Sequence, residues 1–301
     1  MRRRSGPVLT RAQSRLFVGA ASLVIDAAFG EPPSRMHPVV GMGSLFSATR
    51  GSARASGKGR ERAEGAAGWA LVVAASTLGG WQTQRRVRGM RYGTGLLAEA
   101  SALSTLVSLR ALREAVQGIR EALEAGDLAD ARLRAARDLV SRDTSQLDES
   151  EIAGAAIQSL AENLSDSVVA PLLAYAAGGL PAATAYRAIN TADAMWGYRT
   201  PELQYYGSTA ARADDVANYV PARLTALLIA ARAPEHREAL RIARRDHALA
   251  PSPNGGWPMA AMAGGLGVRL VKRDSYAFNA EARAPTAADI GRALKVVGGT
   301  S

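Results

Sequence analysis

Residues 65–84 read GAAGWALVVAASTLGGWQTQ, and none of them carries a formal charge. A helix needs roughly 20 apolar residues to cross the hydrocarbon of a bilayer, and this run has that length. Trp69 and Trp81 stand near its ends, where indoles favour a membrane–water interface. Two further windows, 167–186 and 247–268, also lack formal charge when His247 is neutral. In the first, Pro171 and Gly178-Gly179-Leu180-Pro181 predict a break into two helical pieces. The second opens on Pro251-Ser252-Pro253-Asn254-Gly255-Gly256-Trp257-Pro258, a loop signature, and continues as a short Ala/Met/Gly helix. Shorter apolar stretches fall at 16–25, 100–109 and 224–231. No strand alternation persists anywhere. The fold class is therefore all-α: a polytopic helical membrane protein. The alternative is a soluble helical bundle, because a mean hydropathy of −0.05 is low for a polytopic chain.

Outward from that run, residues 110–142 alternate Leu and Ala with Arg and Glu at helical spacing, with a turn at Gly126-Asp127. This is a soluble amphipathic hairpin, placed on the cytoplasmic side. Residues 50–64, rich in Gly, Ser and basic side chains, form a flexible connector, and residues 1–15 a basic tail. What remains, 16–301, is read as one helical membrane domain. The run 16–25 after the N-terminal arginines is superficially like a signal peptide, but Asp26 interrupts it and no clean cleavage site follows, so it is a retained first helix.

The chain has 301 residues, 48% hydrophobic but only 5% aromatic. Much of the remainder is Ala and Gly, a composition that favours close helix–helix contact through small residues. A net charge of +10 raises nucleic acid as a partner. The basic residues lie instead in the tail and the connector, without the aromatic interleaving that base stacking needs. Basic connectors beside apolar segments fit membrane loops. With no cysteine and three histidines, thiolate chemistry, disulfides and His-rich zinc are excluded or disfavoured. Any metal should be hard and oxygen-ligated, which points to magnesium.

The chemistry concentrates between residues 151 and 225. Glu162-Asn163-x-x-Asp166, Arg187-x-x-Asn190-x-x-Asp193 and Arg212-x-Asp214-Asp215-x-x-Asn218 followed by Arg223 each put polar groups three or four residues apart on apolar background. That spacing gathers them on one helix face, where carboxylates and amides suit a divalent cation and arginines suit phosphate or carboxylate. Asp214 and Asp215 face different directions, so only one can share a face with Asn218. Arg142-Asp143-Thr144-Ser145 precedes Leu147-Asp148-Glu149, with Thr144 or Ser145 placed to cap the next helix, yet Arg142 and Asp143 exceed what a cap requires. His37 follows Gly30-Glu31-Pro32-Pro33 in a rigid turn, with phosphate binding, proton transfer and a structural role all open. Asn254-Gly255-Gly256-Trp257 exposes backbone amides beside a flat aromatic. No phosphate loop of the Gly-x-x-x-x-Gly-Lys-Ser/Thr type exists.

At these motifs the chain resembles the CobD/CbiB family, the adenosylcobinamide-phosphate synthases of cobalamin biosynthesis. The resemblance runs from Leu16 nearly to the C-terminus. It rests on Gly30-Glu31-Pro32-Pro33 with His37-Pro38-Val39, Arg142-Asp143-Thr144-Ser145-x-Leu147-Asp148-Glu149, and Ala161-Glu162-Asn163 with Asp166 and Val169-Ala170-Pro171-Leu172. Tyr186-Arg187-Ala188-x-Asn190-Thr191-x-Asp193, Gly197-Tyr198-Arg199, Ala211-Arg212-x-Asp214-Asp215-x-Ala217-Asn218 through Arg223-Leu224-Thr225, and Asn254-Gly255-Gly256 complete it. Glu31 stands where the family usually has Asp.

The resemblance implies an integral membrane ligase of the cell membrane, with other membrane enzymes of the pathway as partners. It would join a propionate of adenosylcobyric acid to aminopropanol, or its phosphate, at the expense of ATP with Mg²⁺. Asp143, Glu162, Asp166, Asp193 and Asp214 are then the catalytic candidates. Glu162, Asp166, Asp193, Asp214 and Asp215 are the metal candidates. His37, Arg142, Arg187, Asn190, Arg199, Arg212, Asn218, Arg223 and Asn254 are the candidates for holding substrate. Two other classes fit in part: a Mg²⁺-diphosphate-dependent membrane prenyltransferase, and a non-catalytic corrinoid transporter or scaffold.

Overall fold

The structure, a computed structural model, describes residues 9–50, 57–139, 143–198 and 200–298. The helices are, in order, α1 (Arg11–Phe29), α2 (Pro38–Thr49), α3 (Lys58–Arg88), α4 (Tyr92–Ser104), α5 (Leu109–Glu124), α6 (Leu128–Asp138) and α7 (Glu149–Leu164). There follow α8 (Ala170–Gly178), α9 (Leu180–Trp196), α10 (Ser208–Ala217), α11 (Tyr219–Arg232), α12 (His236–Asp246) and α13 (Gly256–Leu266). Strands β1 (Leu270–Lys272) and β2 (Tyr276–Phe278) precede α14 (Ala287–Val296). The all-α expectation holds apart from that hairpin, which pairs Leu270 with Phe278 and turns through Asp274 at φ 57°. Strands of three residues are too short to show alternation.

The chain divides into two compact units, residues 1–108 with 171–214, and 109–170 with 215–301, where the sequence suggests one domain. In the first unit α3 packs along α9 and α1 along α4. Small residues make the first contact possible: a Cβ on Gly80 would stand 2.3 Å from Thr184 Oγ1 and 2.8 Å from the Leu180 carbonyl. Phe46, Trp196 and Tyr206 close one end, with ring centroids 4.9 and 4.8 Å apart and edge-to-face. The predicted break is present: α8 ends at Gly178, Gly179 takes φ 78°, and Pro181 sits in the first turn of α9. The connector expected to be flexible over 50–64 is helical from Lys58 onward, and the basic tail gives way to α1 at Arg11, capped by the Thr10 hydroxyl and Gln13.

The second unit holds an aliphatic core in which Val116, Ile119, Ile152, Ile157, Leu160, Ile229, Ile242 and Phe278 are buried. Helices α5 and α6 form the expected hairpin, turning at Gly126 (φ 73°) with Asp127 as the α6 cap. Helix α7 is capped by Asp148 and Glu151 in a reciprocal box. Thr144 and Ser145 do not supply that cap: Thr144 donates to the Arg132 carbonyl and Ser145 turns back to Asp143. Between α7 and α8 the helix widens to a π turn over Ser165–Val169. The cause is Pro171, which has no N–H to donate into the preceding turn.

The expected membrane windows need revision. Among the described residues two stretches are long and apolar enough to cross a membrane, Arg11–Phe29 and Tyr92–Glu124. Residues 65–84 lie within α3 but fall short of that apolarity, because Ala, Gly, Ser and Thr are uncharged without being strongly apolar. The window 247–268 supplies only α13, eleven residues long and buried except at Trp257, too short to span.

Candidate functional site

Helix α9 presents Arg187, Asn190 and Asp193 on one face, as their spacing predicts. Arg187 is buried, and its Nη1 donates to Asn190 Oδ1 at 3.5 Å. Asn190 Nδ2 in turn donates to Asp214 Oδ1 at 3.2 Å, so α10 brings an acid to the α9 cluster across 24 positions of sequence. Asp193 lies against Gly197, where a Cβ would stand 2.0 Å from Asp193 Oδ1. Any larger residue at 197 would displace the carboxylate. Arg212, on the same α10, is exposed, with its charge open to an anion.

His37 belongs to this first unit. Its Nδ1 accepts the Val39 N–H at 3.2 Å and caps α2, while Nε2 faces Glu31 at 3.6 Å. An accepting Nδ1 cannot carry a proton, so the neutral tautomer has its proton on Nε2. Burial pushes the imidazole below its ordinary pKa; Glu31 opposes this and Arg187 adds to it. His37 is thus a neutral capping residue electrostatically coupled to Arg187.

The second unit carries the other half of the candidates. Asn254 is buried, accepts from Arg223 Nη1 at 3.2 Å and donates Nδ2 to the Asp215 carbonyl at 2.7 Å. Arg223 also donates to the Tyr219 carbonyl at 2.6 Å and lies 3.5 Å over the Tyr219 ring. Trp257, 5.1 Å from the same guanidinium, stacks on His247 at 4.0 Å. The two glycines of Asn254-Gly255-Gly256 are required by close approach. A Cβ on Gly255 would stand 2.6 Å from Glu162 Oε1, and one on Gly256 only 1.9 Å from the His247 carbonyl. The turn therefore seats the Glu162 carboxylate directly against backbone. Asp166 lies in the π turn, a distortion frequent at functional positions, and Asn218 is buried.

Not every expected residue joins these clusters. Asp143 is exposed and turned on itself: the Ser145 N–H and hydroxyl bind its two oxygens at 2.9 and 3.0 Å and hold its pKa below the usual value. Arg142 and Arg199 lie outside the described residues. The five metal candidates divide between the units, Asp193 and Asp214 in the first, Glu162, Asp166 and Asp215 in the second. Asp214 turns its carboxylate to Asn190, whereas Asp215 offers its backbone carbonyl to Asn254. Among the described residues no three His, Asp or Glu side chains are grouped to hold a metal ion. The donor set fits magnesium in its phosphate-bridged mode, in which one or two carboxylates suffice and phosphates and water complete the shell. Asp214 with Asn190 is such a set.

The aromatic setting of Arg223 escapes the motif reading, although Tyr219 and Arg223 stand one helical turn apart and could have signalled a cation–π pair. The role of Gly255 has no signal in sequence, since it depends on Glu162, which only the fold brings close, whereas Gly197 stands one helical turn after Asp193 and could have been read locally.

A model of the CobD/Cbib protein family matches residues 19–297. A cobalamin biosynthesis protein CobD of Stutzerimonas stutzeri is 42% identical over 284 residues, covering 92% of this chain and 91% of its own. Its counterpart in Chromobacterium violaceum is 40% identical, with 94% and 92% covered, and that of Dehalococcoides mccartyi 37%, with 89% and 88%. No solved structure matches.

Proposed function

This chain belongs to the CobD/Cbib family, and we propose that it serves cobalamin biosynthesis as a membrane-embedded, ATP-dependent ligase that forms an amide bond. One observation carries the reading. The family match spans residues 19–297, a range that holds every candidate residue from His37 to Asn254, and a relative named for cobalamin biosynthesis aligns along nine-tenths of both chains. The substrates are adenosylcobyric acid, ATP and either aminopropanol or its phosphate. The product is adenosylcobinamide or its phosphate.

A carboxylate resists attack by an amine because its leaving group would be oxide. Transfer of the terminal phosphoryl of ATP to a carboxylate oxygen makes an acyl phosphate and ADP. The amine nitrogen then bonds to the acyl carbon, the carbon–oxygen bond to phosphate breaks, and the amine proton leaves with a base. Phosphoryl transfer is governed by positioning and charge neutralisation. Asp214, with Asn190 and Asp193 on α9, would hold Mg²⁺, which supplies Lewis-acid neutralisation of the nucleotide phosphates. The exposed Arg212 would bind a phosphate or the corrinoid carboxylate. Arg187 is positioned by Asn190 and sensed by neutral His37. In the second unit Arg223, fixed over Tyr219, keeps Asn254 and its turn in place, and that turn seats the Glu162 carboxylate.

Multi-pass insertion in the cell membrane is part of the proposal. Its support is the outward exposure of Leu16, Val24 and Phe29 on α1 and of Leu71, Leu78 and Trp81 on α3, apolar side chains that water would disfavour. The whole reading is tested with detergent-purified protein, adenosylcobyric acid, ATP, Mg²⁺ and each amine in turn, followed by mass spectrometry. The expected result is an amide product matched by ADP. Protein that melts cooperatively yet forms no amide with either amine would refute it.

A further inference from the structure

A cavity of about 700 Å³ lies within the first unit, between the starts of α2 and α9, the middle of α3 and the end of α4. The proposed reaction uses none of its lining residues, and none of them carries a charge. Its size falls in the range of roughly 300–1,000 Å³ that small-molecule sites occupy. Met42 and Leu106 on its inner side are buried, whereas Met36 and Leu45 at its rim are exposed. The cavity thus opens from the core onto the apolar exterior that α3 also presents with Leu78.

The few polar groups of the lining are turned to their own helices. Thr105 donates to the Ala102 carbonyl and Thr184 to the Leu180 carbonyl, both at 2.9 Å, so neither hydroxyl has its proton left for a ligand. Gly41 and Gly79 line the cavity too, and a Cβ on either would meet nothing within 4 Å. Gly80 next to them permits the approach of α9, but the room at Gly41 and Gly79 belongs to the cavity and to no helix contact.

One end of this apolar slot is basic. The lining follows α3 for about 12 Å, from Ala75 to Thr83. One turn beyond Thr83 on the same face stands Arg86, with Arg85, Arg88 and Arg91 beside it. All four are exposed, and among the described residues only Arg88 reaches a carboxylate, Glu99 at 4.0 Å. The Arg85 guanidinium lies 5.4 Å over the Trp81 ring, and a stretch apolar enough to cross a membrane begins at Tyr92. An indole and arginines at the start of such a stretch mark the level of lipid headgroups.

We propose that this cavity holds an acyl chain of an anionic phospholipid, with Arg85, Arg86 and Arg91 on its headgroup. An uncharged slot ending in guanidinium groups complements a hydrocarbon chain ending in an anion. A zwitterionic lipid has the same chain but cancels the charge. The inference rests on the membrane insertion proposed above and not on the ligase chemistry.

Full-length protein in detergent is offered phosphatidylglycerol, phosphatidylethanolamine and phosphatidylcholine with identical acyl chains, and native mass spectrometry scores retention. The expected result is phosphatidylglycerol held at least about tenfold more tightly than either zwitterionic lipid. Gly79→Leu fills the slot where a side chain has room, and should weaken all three about tenfold while the melting temperature is kept. The double variant Arg85→Gln with Arg86→Gln should remove the preference for phosphatidylglycerol and leave phosphatidylcholine as it was. Both arginines are exposed, so this variant decides the matter should Gly79→Leu fail to fold. Equal retention of the three lipids by wild type, native selectivity in the double variant, or native retention by folded Gly79→Leu would each overturn the proposal. So would displacement of the lipid by adenosylcobyric acid, which would assign the cavity to substrate. Carbonate washing of membranes separates the two readings: protein that stays in the membrane but retains no lipid refutes this inference alone, and protein that is released refutes insertion as well.

Discussion

The two units solve the problem of apolar surface in opposite ways. The second turns its large aliphatic residues inward: Ile119, Ile152, Ile157, Ile229 and Ile242 are all fully buried. The first uses small residues at its helix contacts, notably Gly65 and Gly80, and leaves Leu16, Val24, Phe29, Leu71 and Leu78 outside. It also encloses Asp26, Gln84 and Glu99. Aliphatic burial drives folding in water. Close contact through glycine, with polar groups inside and apolar ones outside, is how helices associate in lipid. The contrast teaches that a mean hydropathy of −0.05 says nothing of which way the apolar side chains face.

Truncation should expose this contrast most strongly. Ile157→Ala removes a fully buried side chain from the second unit and should cost about 2–5 kcal/mol. Leu71→Ala in the first unit, at a position 63% exposed, should cost less than about 0.5 kcal/mol. Thermal unfolding in detergent measures both. Equal costs would erase the distinction between the units.

Next in size is a functional effect. Asp193→Ala should lower turnover by about a hundredfold and raise the Mg²⁺ requirement, because its neighbours cannot replace the carboxylate. Gly197→Ala, which crowds Asp193 Oδ1 at 2.0 Å, should reproduce part of that loss. Steady-state rates across a Mg²⁺ titration report both, and native kinetics in the two variants would make Asp193 structural.

The smallest expected effect concerns pH. Burial of Asp289 would raise its pKa, but hydrogen bonds from Arg283, Arg292 and Thr286 outweigh it and hold the group well below the usual carboxylate range. A depressed carboxylate contributes stability that is present above its unfolded pKa and lost as pH falls through the folded one. Asp289→Asn should therefore cost about 1.5–3 kcal/mol near neutrality. The gap in melting temperature between wild type and variant should close on acidification below pH ~4. A gap independent of pH would mean that the charge is irrelevant.

What could be read in advance follows the range of each interaction. The α5–α6 hairpin was legible because its periodicity and its Gly126-Asp127 turn are local. So was the break at Gly178-Gly179-Leu180-Pro181. Asp148 and Glu151 also form a local pattern, yet the hydroxyls of Thr144 and Ser145, a few residues upstream, competed with it as candidate caps and in the fold bond elsewhere. Candidate side chains could be named from spacing on one helix face. The link from Asn190 to Asp214 could not, since nothing in sequence separation says which helices meet. Gly255 shows the same limit: a Cβ there would meet the Glu162 carboxylate, which stands more than ninety positions away in sequence. The start of α3 at Lys58 was hidden by the Gly/Ser-rich composition before it.

The central claim is that the corrinoid carboxylate is activated by phosphoryl transfer before the amine attacks, and isotope transfer tests it most directly. Adenosylcobyric acid labelled with ¹⁸O in its free carboxylate is turned over with ATP, Mg²⁺ and the amine, and the inorganic phosphate released is analysed by mass spectrometry. The account predicts one ¹⁸O in each phosphate formed, carried over when the acyl–oxygen bond breaks. Phosphate free of label, alongside amide product, would contradict it.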